Sequence, residues 1–201
     1  CSLVGSEMCI RDRMIEVPLD VMGEDVPDDW VHVPAFKAKS APDPSDVKEA
    51  AALLAGADHP VIYAGQGIHY AKAWKELKEL AEQWNIPVTT SIEGKSAFPE
   101  DHPLSLGSGG RANSRPVKRY LEESDLILGL GVSFALTAFG VPMPPGKKII
   151  HATLDPMDLN KDVPADIGLI GDAKLTLAAL NSELSNADNC LLYTSPSPRD
   201  C

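Results

Sequence analysis

The feature that most constrains this 201-residue chain is a series of short, unbroken apolar segments set between helical patterns. "PVIYAG" (60–65), "IPVTTS" (86–91), "DLILGLG" (125–131), "KKIIHATLD" (147–155) and "IGLI" (167–170) are short apolar runs of strand length. They do not alternate apolar with polar, so neither face of such a strand meets water. The intervening segments have helical spacing. In "SDVKEAAALLAGADHP", Val47, Ala50, Ala51 and Leu54 share one face, Asp43 or Ser45 can cap the start, and Gly56 sits at the stop. "YAKAWKELKELAEQW" (70–84) puts Trp74, Leu77, Leu80, Ala81 and Trp84 on one side. A short helix carries Val117, Tyr120 and Leu121, and "DAKLTLAALNSEL" (172–184) closes the pattern. Strands buried on both faces and alternating with helices make a parallel sheet covered by helices. The expected fold class is a three-layer, Rossmann-like α/β domain over 45–184. Its crossovers should be right-handed, and any ligand should lie beyond the carboxyl ends of the strands.

The flanks read differently. "MIEVPLDVM" (14–22) alternates and suggests a strand and its exit, whereas 23–44 is proline-rich and acidic, as a linker is. Residues 185–189 read as the start of a second linker. The two ends, 1–13 and 190–201, are expected to be adapter-like additions. One back-translation of Cys190–Cys201, read on the opposite strand in a shifted frame, gives Ser2–Asp12. Such a sequence resembles a transposase adapter of sequencing libraries, and it is set aside from fold reasoning. All four cysteines (Cys1, Cys9, Cys190, Cys201) lie in these ends. Residues 14–189 therefore offer neither a disulfide nor a cysteine metal site.

The formal net charge is −11. It belongs to the middle of the chain, because Glu7 and Asp12 offset Arg11 and Arg13, and Asp200 offsets Arg199. That acidity argues against nucleic acid as a partner, which needs a basic footprint. No stretch approaches the roughly 20 apolar residues of a membrane span, so the expected setting is cytoplasmic, with no membrane partner. The histidines His59, His69, His102 and His151 show no zinc-ligand spacing, and no serine sits in a nucleophile motif.

Candidate binding residues fall at strand ends. Gly65, Gln66 and Gly67 follow the first strand, where a glycine turn either lets backbone amides approach a phosphate or simply makes a tight turn. Gly107, Gly109, Gly110 and Arg111 form a glycine-rich loop with a cation for phosphate, or a flexible crossover. Gly129 and Gly131 end a buried strand, at the place for a nucleotide or for close packing. Asp155 could accept ribose hydroxyls. Asp172 could do the same, although a helix cap is the stronger reading for it. The inventory supports nucleotide binding rather than catalysis.

The segments "PVIYAGQG", "IPVTTSIEGKSAFPEDHPLSLG", "DLILGLG", "IIHATLDP" and "IGLIGDA", in that order, resemble the central domain of thiamine-diphosphate-dependent enzymes of the acetolactate synthase and 2-oxo-acid decarboxylase type. "MIEVPLDV" resembles the last strand of the preceding pyrimidine-binding domain. The resemblance implies a mostly parallel sheet of six strands. It also implies a parent lyase or transferase that acts on a 2-oxo acid, is a homo-oligomer (dimer or tetramer), and uses thiamine diphosphate and Mg2+ held by other domains. This fragment would then have no catalytic residue and no metal site of its own. In several members the central domain binds FAD, in others ADP or nothing. The resemblance places Gly65, Gln66 and Gly67 near a pyrophosphate and Ser91 and Ile92 along the cofactor. Gly110 and Arg111 fall in its glycine loop, Gly131 at its strand end, and Asp155 and Asp172 toward the adenosine. Two departures weigh against FAD. Ala112 and Asn113 replace a His-Gly pair, and "VSFALT" (132–137) lacks an arginine and two acidic residues. Each lost charged contact removes about 1.5–3 kcal/mol.

Overall fold

The computed structural model describes residues 16–33, 39–110, 114–136 and 140–185. The chain divides into two units, one ending at Lys37 and one beginning at Ala38. In the first, the expected strand over 14–22 is absent from the described part. Leu19–Met22 instead make one helical turn, α1, started by Pro18 at φ −60°. Proline presets that φ, and no described strand in this unit offers a ladder to pull the segment straight.

The second unit carries the α/β domain. Helix α2 (Pro44–Ala55) is capped by Asp43, which accepts from the Ser45 amide at 2.8 Å; Pro44 occupies the first turn, where its missing N–H costs nothing. Then follow β1 (Pro60–Ala64), α3 (Gly67–Ala71), α4 (Trp74–Trp84), β2 (Val88–Thr90), β3 (Ser105–Ser108) and α5 (Arg115–Glu123). The chain continues with β4 (Leu126–Leu130), β5 (Lys148–Thr153), a 3-10 turn (Pro156–Asp158), β6 (Ile167–Ile170) and α6 (Ala173–Leu184). All strand pairs are parallel, in the order β3-β2-β1-β4-β5-β6. This is the order of a doubly wound sheet, and its switch point lies between β1 and β4.

Residue parity assigns the two faces. Ile62, Ala64, Leu126, Leu128, Leu130, Ile150 and Ala152 point into a core with α2, α3, α4 and α6. Val61, Tyr63, Ile127 and Ile149 point the other way, against α5 and the irregular stretch around Val132, Phe134 and Val141. Among the described residues, the second layer is thus one helix plus packed loops.

Two expectations change here. The helix expected over 70–84 is two, α3 and α4, broken at Lys72, which takes a left-handed conformation (φ 54°). The glycine-rich stretch from Leu106 begins as β3, paired with β2 through Val88, Thr89 and Thr90.

Charged side chains close the amino edge of the sheet. Asp125 accepts from the amides of Asp58 and His59 at 2.7 and 2.9 Å, joining the entries of β1 and β4. Lys147 donates to the carbonyls of Glu122 and Ser124 at 2.6 Å each, and Asp166 accepts from the Ile149 amide at 2.7 Å.

Candidate functional site

Around the carboxyl edge, the amide just past each strand except β5 donates to the neighbouring strand. Ser91 donates to Ala64, Gly65 to Leu130, Gly131 to Ala152 and Gly171 to Thr153, at 2.8–2.9 Å. Gly109 donates to Thr90 at 2.7 Å. At the switch point the contact is closer still. Gly67 donates to the Gly131 carbonyl at 2.9 Å. A Cβ on Gly67 would lie 2.6 Å from the Gly131 Cα, and one on Gly65 would lie 2.4 Å from the Gly131 oxygen. On the other side, a Cβ on Gly94 would meet the Ala64 oxygen at 2.6 Å. The exit of β1 is therefore clasped, backbone to backbone, between the exits of β2 and β4.

The anticipated residues all sit on this edge except Arg111, which lies outside the described residues. Gly65, Gln66, Gly67 and Gly131 meet at the switch point. Among the described residues the Gln66 amide has no protein partner, while those of Gly65 and Gly67 are occupied. Ser91 uses its hydroxyl to accept from the Gly94 amide at 3.0 Å, and Ile92 beside it is half exposed. Gly110 follows the Gly109–Thr90 bond. Asp155 and Asp172 lie past β5 and β6, and both cap helical turns. Asp155 accepts from the Met157 amide at 2.9 Å. Asp172 accepts from the amides of Lys174 and Leu175 at 3.1 and 3.3 Å and pairs with Lys39 at 3.6 Å. We expect Asp172→Ala to cost about 1 kcal/mol in urea unfolding and Asp172→Ser to recover most of it. A loss with Ser equal to that with Ala would show that the charge, not the cap, matters.

A cluster that sequence reasoning passed over lies just beneath the edge. Tyr63, Gly129 and His151 stand side by side on β1, β4 and β5. The Phe134 ring fills the place over Gly129, where a Cβ would come within 2.3 Å of it. That ring packs 5.8 Å from Tyr63 and edge-on, 4.8 Å, to His151. Phe134 itself is at φ 48°. Burial pushes the Tyr63 phenol up to about 12, with help from the Glu93 charge and against a hydrogen bond from the Val141 backbone. Burial likewise holds the His151 imidazole below its usual range, against the pull of Val132 and Asp158. A glycine in mid-strand was the available signal, since it marks a close approach.

Residues 47–180 match the family model described as "Thiamine pyrophosphate enzyme, central domain". The chain belongs to this family. Over 156 residues it is 40% identical to a Methanocaldococcus jannaschii protein assigned as an acetolactate synthase large subunit, covering 77% of this chain and 26% of that protein. Acetolactate synthase of Mycobacterium avium is 34% identical over 171 residues, covering 83% and 28%. The benzoylformate decarboxylase structure from Polynucleobacter necessarius superimposes with a TM-score of 0.65 at 27% identity, covering 86% of this chain and 33% of that one. The chain thus spans about a quarter to a third of the length of these relatives. Among the described residues of this central domain, no group of three or more His, Cys, Asp or Glu could hold a metal ion. No described helix is long and apolar enough to cross a membrane.

Proposed function

We propose that this chain is the scaffolding middle layer of an acetolactate synthase-like enzyme that acts on a 2-oxo acid, and that it contributes no catalytic group. In that reading thiamine diphosphate and Mg2+ are held by other domains of a cytoplasmic homo-oligomer, and the bound cofactor supplies the electron sink for decarboxylation. The family match supports the placement. The scaffold role rests on the clasp at the switch point. A pyrophosphate there needs free amides from Gly65 and Gly67, and both already donate to Leu130 and Gly131. The carboxylates of Asp155 and Asp172 are engaged as caps. In this reading the β1 exit offers a pyrophosphate the Gln66 amide alone, which weighs against FAD there.

A second reading, an FAD or ADP site, draws on the unpartnered Gln66 amide and on Ser91, Ile92, Gly110 and Asp155 sharing one edge. The two are separated by thermal unfolding with excess FAD or ADP. A ligand at a hundred times its Kd would add about 2.7 kcal/mol. We expect no saturable shift and no flavin retained on purification. A shift that saturates, and that Gln66→Pro abolishes by removing the free amide, would replace the scaffold reading with the nucleotide one.

A further inference from the structure

The His151 imidazole is fully buried in β5, and its hydrogen bond determines its tautomer. Its Nε2 lies 2.8 Å from the Val132 carbonyl, which can only accept, so Nε2 carries the hydrogen. Nδ1 is then a bare lone pair, buried and without a partner among the described residues. The edge of the ring meets Phe134, which the left-handed backbone of the β4 exit holds over Gly129. One imidazole therefore fastens both Val132 and Phe134. Beyond them the same loop is tied by the Leu136 amide, which donates to Asp162 at 2.9 Å.

The surroundings give a charged ring little support. Ile149 and Thr153 share its face of β5. From β1 the ionisable neighbour is Tyr63, a neutral phenol. From the 3-10 turn it is Asp158, whose carboxylate accepts from the Thr153 hydroxyl at 3.4 Å and whose attraction for a charged ring ranks below the opposing effect of burial. From the β2 exit it is Glu93, which acts on Tyr63. A proton on Nδ1 would create a second N–H with no acceptor among the described residues, on a side chain with no exposed surface.

We propose that His151 is an acid-sensitive fastener: protonating its ring releases Val132 and Phe134 and frees the loop 132–136 from the carboxyl edge of the sheet. The sign follows from the burial. The fold favours the neutral imidazole, while the unfolded chain takes up its proton as pH falls through the ordinary imidazole value of about 6.5. The contribution of His151 to stability is therefore complete above that value and is lost as pH falls below it toward the depressed folded value. The loop that opens is the one bounding the switch point, so acidification would alter that edge while the strands stay paired.

The test is NMR of the 201-residue chain from about pH 7.5 downward until the His151 ring takes up its proton, a step that burial sets below the ordinary imidazole value of about 6.5. It reads the His151 ring, the Phe134 ring and exchange of the Leu136 amide. We expect exchange at Leu136, corrected for its intrinsic pH dependence, to quicken about tenfold as His151 protonates, while amides of β4 stay protected. His151→Gln keeps a donor for the Val132 carbonyl but cannot titrate, and should leave Leu136 exchange flat across this range. The proposal is overturned if His151 protonates while Phe134 and Leu136 do not respond, if the Gln variant keeps the same acid response, or if the ring fails to protonate before the strands unfold. If the Gln variant does not fold, the wild-type comparison of ring titration with loop exchange decides alone.

Discussion

Gly67→Ala and Gly131→Ala should each destabilise the domain by about 3–5 kcal/mol, enough to remove much of the stability of a typical domain. Carbon atoms pack at about 3.5–4.0 Å. A methyl on Gly67 would start 2.6 Å from the Gly131 Cα, and one on Gly131 would start 2.7 Å from the Gly67 Cα. Both obstacles are backbone and cannot rotate aside. The β1 and β4 exits must part by about 1 Å to reach ordinary contact. Parting them breaks the Gly67–Gly131 bond and strains the Gly65–Leu130 bond, each 2.9 Å long. Overpacking costs about 1–3 kcal/mol and each lost hydrogen bond about 1 kcal/mol. Gly131 adds a left-handed penalty of about 1 kcal/mol, because its φ is 61°. Gly56→Ala is the control, since its Cβ would meet the Ala52 and Leu53 oxygens at 3.5 and 3.9 Å, both ordinary contacts, and it should be nearly neutral. Because one opening relieves both clashes, the double variant should fall well short of the sum. Urea unfolding measures all four, and a Gly67→Ala domain within about 1 kcal/mol of the parent would show that the clasp is not rigid.

The same glycines show where sequence reading succeeds and where it stops. A Gly-x-Gly turn after a buried strand declares that something will approach the backbone closely. It does not declare what. Here the approaching group is the chain's own β4 exit, and a phosphate would have imposed the same steric demand. Gly94 was invisible for a related reason: between Glu93 and Lys95 in a loop, no periodicity marks it, and only the fold brings it against Ala64. The central strands were legible because burial on both faces leaves an apolar run that no helix period explains. Strand β3 was not, because Leu106 is its only apolar residue and its pairing with β2 makes it a strand. The break at Lys72 was hidden too. The apolar spacing runs on across it, while the Trp74 indole donating to His69 Nδ1 at 2.9 Å belongs to the turned, not the continuous, helix. Asp43 and Asp172 were readable as caps because capping is local chemistry, decided within three residues. His151 was read only as one histidine among several, since its partner Val132 is brought to it by the β4–β5 pairing.

Trp84 yields the other large effect, and the informative result is a difference between two substitutions. Its side chain is fully buried on α4, in the core shared with α2, α6 and the sheet. Trp84→Ala should cost about 3–5 kcal/mol, for lost burial and for the cavity left behind. Trp84→Phe also leaves a space, but it deletes the indole Nε1, which is buried without a partner among the described residues. An unsatisfied buried donor costs about 1–3 kcal/mol, and removing it offsets much of the lost packing. The Phe variant should therefore lie within about 1.5 kcal/mol of the parent, by urea unfolding followed with circular dichroism rather than tryptophan fluorescence. If Phe proves nearly as harmful as Ala, the N–H is satisfied after all. A buried water making its usual set of hydrogen bonds would be the explanation, and this part of the core would be wet rather than dry.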